Sequence, residues 1–204
     1  MSAIYFKSFG GNELTTTTYN PNAGKRTICQ TLDQVLSTKV IKPNTTHSKL
    51  PNRLCVSLIT QGFQGSYRPE GVIFSTTQKP NYCSPFDLMA LTDGTTFTSS
   101  DFNSSFLKGS ERFVFSDPTQ MRSYFPNSDC SIKALNEFRR LNGLGEIKYE
   151  EMKYNEFCFN NKVEIVPIAV VGTSQGIKDL SEKYGLLVYG SVKEYLSNSS
   201  EGGD

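Results

Sequence analysis

The segment spanning residues 153–159 places one carboxylate among aromatic side chains, just before a long apolar run. Glu156 stands between Tyr154 and Phe157, and residues 163–171 that follow have the β-branched composition of a buried strand. A carboxylate in this setting is either an exposed strand residue or a catalytic group. In the second case a fixed anion in an apolar setting stabilises positive charge that develops in a transition state. Glu156 is therefore the candidate catalytic residue.

Other side chains have the properties that such a site needs. Tyr154 and Phe157 can exclude water and stack on a flat ring. Ser57, in the predicted strand at residues 54–59, can hydrogen-bond a ligand, although a serine in such a place more often merely fills a strand edge. A phosphate-bearing ligand requires a cation, and the guanidinium group of arginine matches phosphate geometry. The candidate cations are Arg26, Arg53 and Arg68.

Several familiar kinds of site are disfavoured by the residue types. The chain has one histidine, His47, and five widely separated cysteines, so a tetrahedral zinc site would draw its ligands from remote positions and we expect no metal. The sequence has neither a glycine-rich loop with a Lys-Ser or Lys-Thr pair nor a strand-to-helix glycine fingerprint, which disfavours nucleoside triphosphate and ordinary dinucleotide folds. A nucleophilic pair of His47 with Cys55 remains open, although His47 stands in a polar segment and Cys55 in an apolar one.

Two further features have weaker chemical interpretations. Asp87 and Asp93, with Glu70, would supply paired carboxylates for hydrolysis, but their sequence positions carry no geometry and Asp93 begins a turn signal. The connection over residues 82–106 is long, and long loops in compact domains are often lids or recognition elements. We therefore expect contact with a macromolecular substrate there.

Length and composition favour a single domain. The chain has 204 residues and is 37% hydrophobic, which suits one substantial core. Its formal net charge of +1 does not indicate a nucleic-acid binder or a membrane-surface protein. No apolar run approaches the roughly 18 residues that a membrane-spanning helix needs, and the first residues lack the apolar stretch of a secretory signal. With cysteines placed mostly in apolar stretches, these features predict a cytoplasmic protein without membrane contact.

Hydrophobic periodicity divides the chain into short strands and a few helices. Strands are expected at residues 3–6, 54–59, 71–75, 112–115, 156–159, 164–171 and 186–189. Helices are expected from residue 28 to before Pro43, from 131 to 142 and from 177 to 184. Residues 1–196 are thus predicted to form one α+β domain with a mixed, mostly antiparallel, split sheet and two to four helices. Residues 197–204 are predicted to be a disordered polar tail.

The predicted helix at residues 131–142 has apolar residues at three-residue spacing, which we expect to form one buried stripe. They are Ile132, Leu135, Phe138 and Leu141. Arg139 and Arg140, beside the stripe, are expected on the solvated face of the helix. Contact with a phosphate or an acidic partner is the alternative for this pair.

The order of these elements resembles that of the ADP-ribosyltransferase superfamily, toxin-like enzymes that split NAD and pass its ADP-ribose to a macromolecule. A helix ending at residues 40–43 is followed by the hydroxyl-bearing strand around Ser57 and by the apolar strand at residues 72–74. Late in the chain, Glu156 leads into the strand at residues 163–171. The layout is similar to that of the DarT-like, nucleic-acid-modifying branch as much as to that of the protein-modifying branches.

The resemblance implies a set of roles. In the superfamily an early Arg or His holds NAD, a Ser/Thr-bearing central strand shapes the pocket, and a late Glu at a strand start is catalytic. Carried over to this sequence, Glu156 is catalytic, and Arg26, Arg53, Ser57 and Tyr154 bind NAD. The sequence departs from the family in three places. The first strand lacks an Arg or His beside its Tyr, Ser57 lacks flanking hydroxyl residues, and Tyr154 replaces a second acid, which favours a branch with a single Glu.

The function that the resemblance implies is NAD-dependent ADP-ribosyl transfer, a glycosyltransferase reaction, by a toxin- or effector-like enzyme of the cytoplasm, including that of a host cell. NAD is consumed as a substrate, and the acceptor is a macromolecule, either protein or nucleic acid. The alternative is a non-catalytic phage or bacterial effector that binds a host protein through its aromatic loops. Release of nicotinamide by the purified protein would separate the two.

Overall fold

A computed structural model describes residues 3–10, 13–15, 30–43, 54–60, 63, 65, 68–86, 112–126, 132–146 and 154–200. Within these ranges the chain forms nine strands and five helices. The strands are β1 (Ile4–Phe9), β2 (Val40–Ile41), β3 (Leu54–Leu58), β4 (Glu70–Ser75), β5 (Tyr82–Ser84), β6 (Glu156–Phe159), β7 (Val163–Glu164), β8 (Val166–Val171) and β9 (Leu187–Tyr189). The helices are α1 (Leu32–Thr38), α2 (Pro118–Tyr124), α3 (Ile132–Leu141), α4 (Gln175–Tyr184) and α5 (Val192–Ser200).

Seven strands form one sheet in the order β5-β6-β3-β1-β4-β8-β9, and β2 pairs with β7 in a separate two-stranded sheet. All pairs are antiparallel except β8 with β9, which are parallel. The predicted α+β class with a mixed, mostly antiparallel sheet is therefore confirmed, and the described residues contain five helices rather than two to four. The order brings β6, from late in the chain, beside β3.

Local capping interactions explain where three of the helices begin. Thr31 caps α1 in a capping box, since its hydroxyl accepts from the Gln34 N–H while the Gln34 side chain accepts from the Thr31 N–H. Asp117 caps α2, whose first residue is a proline that has no N–H to leave unpaired. Ser174 caps α4, which ends at Gly185 in the left-handed conformation. None of the helices within the described ranges is long and apolar enough to cross a membrane.

The strands bury both faces of the sheet along much of their length. On one face, Tyr5, Val72 and Phe74 belong to a large apolar cluster that also includes buried residues of α1 and α4. On the other face, Phe6 and Ile73 pack in a smaller cluster with residues of α5. This alternation follows the two-residue period of strand side chains. The main core therefore lies between the sheet and helices α1 and α4.

Helix α3 forms where the periodicity predicts it, but its buried face differs from the predicted stripe. Leu135 and Phe138 are buried, whereas Leu141 is 69% exposed and Arg139 only 2% exposed. The reason is rotational, because a helix turns about 100° per residue. Arg139, four residues after Leu135, returns to within about 40° of it, while Leu141, six residues on, lies about 120° away. The expectation of a solvated Arg139 is wrong, whereas Arg140 is exposed as predicted.

Residues 112–115 do not form the predicted strand. Phe115 makes only an isolated bridge with Cys83, and Arg112 lies in a single tight turn. The ring of Phe113 instead packs on Phe86 and Phe138, with ring centroids 5.3 and 5.2 Å apart. Aromatic packing therefore outweighs strand propensity in this segment.

Helix α5 continues through residues 197–200, which the composition assigned to a disordered tail. The hydroxyl groups of Ser197 and Ser199 donate to the carbonyls of Lys193 and Tyr195, one helical turn earlier. Serine side chains thus bind the helix backbone in place of water. Residues 201–204 lie outside the described part of the chain.

Candidate functional site

Strands β3, β6 and β5 carry polar side chains on one face of the sheet. The register pairs Cys55 with Cys158, and Ser84 with Glu156. Ser57 follows Cys55 by two residues and Glu156 precedes Cys158 by two, so in this antiparallel pair Ser57 lies opposite Glu156 on the same face. Ser57, Glu156 and Ser84 form what we call the buried polar row, with exposed fractions of 7%, 5% and 0%.

The opposite face of the same strands is apolar. Val56, Phe157 and Cys83 are paired in register and all belong to the main core. The ring of Tyr5 contacts that of Phe157 edge-on, with centroids 5.7 Å apart. Phe157 therefore lies across the sheet from Glu156, and the expectation that it stacks on a ligand beside Glu156 is wrong, because successive residues of a strand face opposite ways.

Glu156 is the first residue of β6, and its carboxyl group is hydrogen-bonded to the thiol of Cys55. The predicted setting at a strand start is thus present, and the carboxyl group is nearly removed from solvent. In such a low-dielectric place a charge acts more strongly on its neighbours than it would in water. A buried carboxyl group among polar side chains is a common feature of functional sites.

The thiols of Cys55 and Cys158 are in direct contact. Their sulphur atoms are 3.3 Å apart although the residues are separated by 103 positions in the chain. The hydrogen bond with Cys158 and burial raise the pKa of Cys55 well above its ordinary value, while the hydrogen bond with Glu156 and the charge of Lys7 act in the opposite direction. Cys55 is therefore protonated at neutral pH, which is unfavourable for a nucleophile. His47, its predicted partner, lies outside the described residues.

Lys7 brings a cation to the edge of this group. It is half-buried on the central strand β1, and its Nζ donates to the carbonyl of Cys55 over 3.2 Å. Burial lowers the pKa of Lys7, and the nearby Cys55, Glu13 and Glu156 oppose that effect. Arg68, one of the predicted cations, forms an ion pair with Glu13 at 2.6 Å. The described positive charge next to the Cys55 backbone is therefore that of a lysine, which the sequence interpretation did not include.

The structure thus brings together part of the predicted site. Ser57 and Glu156 are neighbours on adjacent strands, and Tyr154 is half-buried in a bend before β6. Arg26 and Arg53 lie outside the described residues, as do Asp87 and Asp93. The predicted hydroxyl and carboxyl groups therefore share one face, and the arginines that would hold the diphosphate of NAD remain predictions.

No protein-family model matches the chain, and no curated protein or solved structure matches it either. The chemical interpretation therefore depends on the residues of the site.

Sequence reasoning missed four residues of this region. They are Lys7, Cys55 and Cys158 as a contacting pair, and Ser84. One signal was present in the sequence. Cys55 and Ser57 are two residues apart, and so are Glu156 and Cys158. Each spacing places two polar or sulphur-bearing side chains on one strand face. What the sequence lacks is the information that these two strands are neighbours.

Proposed function

We propose that the protein is an NAD-dependent ADP-ribosyltransferase in which Glu156 is the catalytic carboxylate. The observation that carries this proposal is the position of Glu156, buried at the start of β6 and opposite Ser57 on the adjacent strand β3. The strands whose order resembles that of the superfamily thus carry a hydroxyl group and a carboxyl group side by side. Family membership itself stays a prediction.

The chemistry of such a site follows from the charge that the reaction creates. The bond between the ribose C1′ and the nicotinamide nitrogen breaks, and its electron pair leaves with nicotinamide. The ribose then has oxocarbenium character, and an acceptor nucleophile forms the new bond to C1′ and releases its proton to solvent. The Glu156 carboxylate, by accepting a hydrogen bond from a ribose hydroxyl, stabilises the cation, and the Ser57 hydroxyl orients the sugar.

Entry of the ligand requires at least one rearrangement. The carboxyl group of Glu156 is engaged with the Cys55 thiol, so a ribose hydroxyl must replace that hydrogen bond. The half-buried Cys55 and Tyr154 mark where the row meets solvent. Exchange of one hydrogen bond for another costs little, because a typical intramolecular hydrogen bond has a net value of about 1 kcal/mol.

The experiment is an assay of nicotinamide release, with and without candidate protein and nucleic-acid acceptors, on wild-type protein and on Glu156→Gln. The amide keeps the shape of the side chain and removes its charge, so we expect activity to fall by about 100-fold or more. Glu164→Gln is the matched control, since Glu164 is exposed on β7, and it should keep full activity.

Any one of three results would refute the transferase. They are no stabilisation of the wild type by NAD, no release of nicotinamide, and release of nicotinamide by a folded Glu156→Gln variant at the wild-type rate. The alternative of a non-catalytic effector predicts the first two results, together with binding of a host protein that Glu156→Gln retains. The long loop that would make this contact lies mostly outside the described residues.

A further inference from the structure

We propose that Cys55, Cys158 and Glu156 form a binding site for a thiophilic divalent cation, with Zn²⁺ as the expected occupant. Their ligand atoms, two sulphurs and a carboxylate oxygen, all lie within 4.8 Å of one another. Around a tetrahedral Zn²⁺ with bonds of about 2.3 Å to sulphur and about 2.1 Å to oxygen, such ligand atoms stand roughly 3.6–3.8 Å apart. The sulphur atoms, now 3.3 Å apart, need to separate by only about half an ångström.

The sheet holds these three ligands in place before any metal arrives. Cys55 and Cys158 face each other directly in the β3–β6 register, and Glu156 shares the face of Cys158 two residues away. Ligands on paired strands are fixed by the backbone hydrogen bonds of the sheet, so little side-chain ordering remains to be done on binding. Cys55 is only half-buried, which leaves a route by which a metal ion can enter.

The local charges also favour a divalent cation. Two thiolates and one carboxylate carry three negative charges, and a divalent ion leaves one of them unbalanced. The Lys7 ammonium group donates to the carbonyl oxygen of Cys55 over 3.2 Å and interacts electrostatically with Cys55 and Glu156, so it can supply the balancing positive charge. A buried ion group without net charge avoids most of the desolvation cost of an uncompensated one.

The donor types decide which cations fit. Thiolates select soft or borderline ions such as Zn²⁺ and Cd²⁺, whereas Mg²⁺ and Ca²⁺ require oxygen ligands. Binding breaks two S–H bonds and forms two metal–sulphur bonds, so two protons are released and no electron is transferred. The affinity must therefore rise with pH. The sequence predicted no metal because the two cysteines stand 103 positions apart and show no local cysteine spacing.

A bound metal would occupy the carboxylate that the proposed transferase needs. Zn²⁺ should therefore inhibit ADP-ribosyl transfer, a consequence that rests on the proposed function. Metal binding itself does not depend on it, and a binding assay therefore tests the site even if the protein transfers no ADP-ribose.

The experiment is a Cd²⁺ titration of the fully reduced, chelator-treated full chain, followed by the ultraviolet charge-transfer band of cadmium thiolates. Cys29→Ser and Cys130→Ser are introduced first, because these cysteines lie outside the described residues. In that background we expect one Cd²⁺ per chain, displaced by Zn²⁺. Cys55→Ser should abolish the band. Glu156→Gln should weaken the affinity for Cd²⁺ about tenfold or more while the band remains.

Cys83→Ser is the matched control, since Cys83 is a buried cysteine of the neighbouring strand β5 that belongs to the opposite, apolar face. It should keep the band.

The site is refuted if the parent shows no band, if Cys55→Ser binds Cd²⁺ as tightly as the parent, or if Cys83→Ser loses the band in a folded protein. Conversion of the two thiols into a disulfide by oxidised glutathione, without Cd²⁺ binding to the reduced form, would assign the pair to redox chemistry instead. Far-ultraviolet circular dichroism verifies the fold of each variant, and Cys158→Ala provides a second variant of the pair.

Discussion

The side chain of Asn155 makes two hydrogen bonds with the backbone of Leu58 and so extends the β3–β6 ladder beyond the start of β6. Its Oδ1 accepts from the Leu58 N–H over 2.7 Å, and its Nδ2 donates to the Leu58 carbonyl over 3.0 Å. An amide side chain thus takes the place of a peptide group. Because Glu156 is the next residue, these two hydrogen bonds fix the position of its carboxyl group on the polar face of the sheet.

We expect Asn155→Ala to destabilise the fold by about 2–3 kcal/mol, since it leaves a buried N–H and a buried carbonyl of Leu58 without partners. Asn155→Asp should cost less, because a carboxylate still accepts from the N–H. Asn81 is the control, an exposed residue whose Oδ1 accepts from the Asn160 N–H, and Asn81→Ala should cost about 1 kcal/mol or less. Urea unfolding measures all three, and equal costs at the two asparagines would contradict the role of Asn155.

Gly71 allows β4 to lie close to β1. A methyl group at this position would overlap the carbonyl oxygen of Lys7 and approach the ring of Phe6 to 2.8 Å. Because the obstacle is backbone, Gly71→Ala should destabilise by about 3 kcal/mol or more. A methyl group at Gly145 meets nothing within 4 Å, so Gly145→Ala should change the free energy of unfolding by less than about 0.5 kcal/mol. Near-normal stability of Gly71→Ala would show that the two strands can separate at little cost.

Arg139 is a buried guanidinium group in the last turns of α3. Its Nε donates to the carbonyl of Gly145 over 2.6 Å, which ties the helix to the segment that follows it. We expect Arg139→Ala to destabilise by about 2 kcal/mol or more, through the lost hydrogen bond and the lost packing of its stem. Arg140→Ala, at the exposed neighbouring position, should stay within about 0.5 kcal/mol of the wild type. Thermal unfolding distinguishes them, and similar melting temperatures would refute a structural role for Arg139.

Asp33 joins α1 to α4. The Nζ of Lys183 and the hydroxyl of Tyr184 donate to its Oδ1 over 2.8 and 2.7 Å, and these hydrogen bonds lower the pKa of Asp33. A depressed pKa in the folded state means that the stabilisation is present above the unfolded-state pKa of about 3.9 and is lost as pH falls further. We expect Asp33→Asn to lower the melting temperature at neutral pH, and that difference to shrink below about pH 4.

Asp179→Asn is the control for this pH dependence. Asp179 is an exposed residue of α4 that accepts a hydrogen bond from Gln175 of the same helix. Its replacement should change the melting temperature by a small amount that varies less with pH. A difference between wild type and Asp33→Asn that is constant from pH 7 to pH 3 would contradict the role of the Asp33 pKa.

Local signals were sufficient for most of the elements. Strand-like composition and alternation predicted β1, β3, β4, β6, β8 and β9, and helical patterns predicted α1, α3 and α4. Two missed helices had readable caps. Asp117 followed by Pro118 begins α2. Ser191 precedes α5, and its hydroxyl accepts a hydrogen bond from the N–H of Glu194 in the first turn of that helix. The short strands β2 and β5 carry no comparable signal, because two or three residues cannot establish a period.

The sequence by itself determined the α+β class, the faces of individual strands and the choice of Glu156 and Ser57 as polar residues on strands. Only the tertiary structure decided that β3 lies beside β6, that Cys55 meets Cys158, and that Phe157 belongs to the core while Arg139 is buried. The physical reason is the distance along the chain over which each effect acts. Periodicity reports how neighbouring residues share a face, whereas pairing of strands a hundred positions apart depends on the packing of the whole sheet.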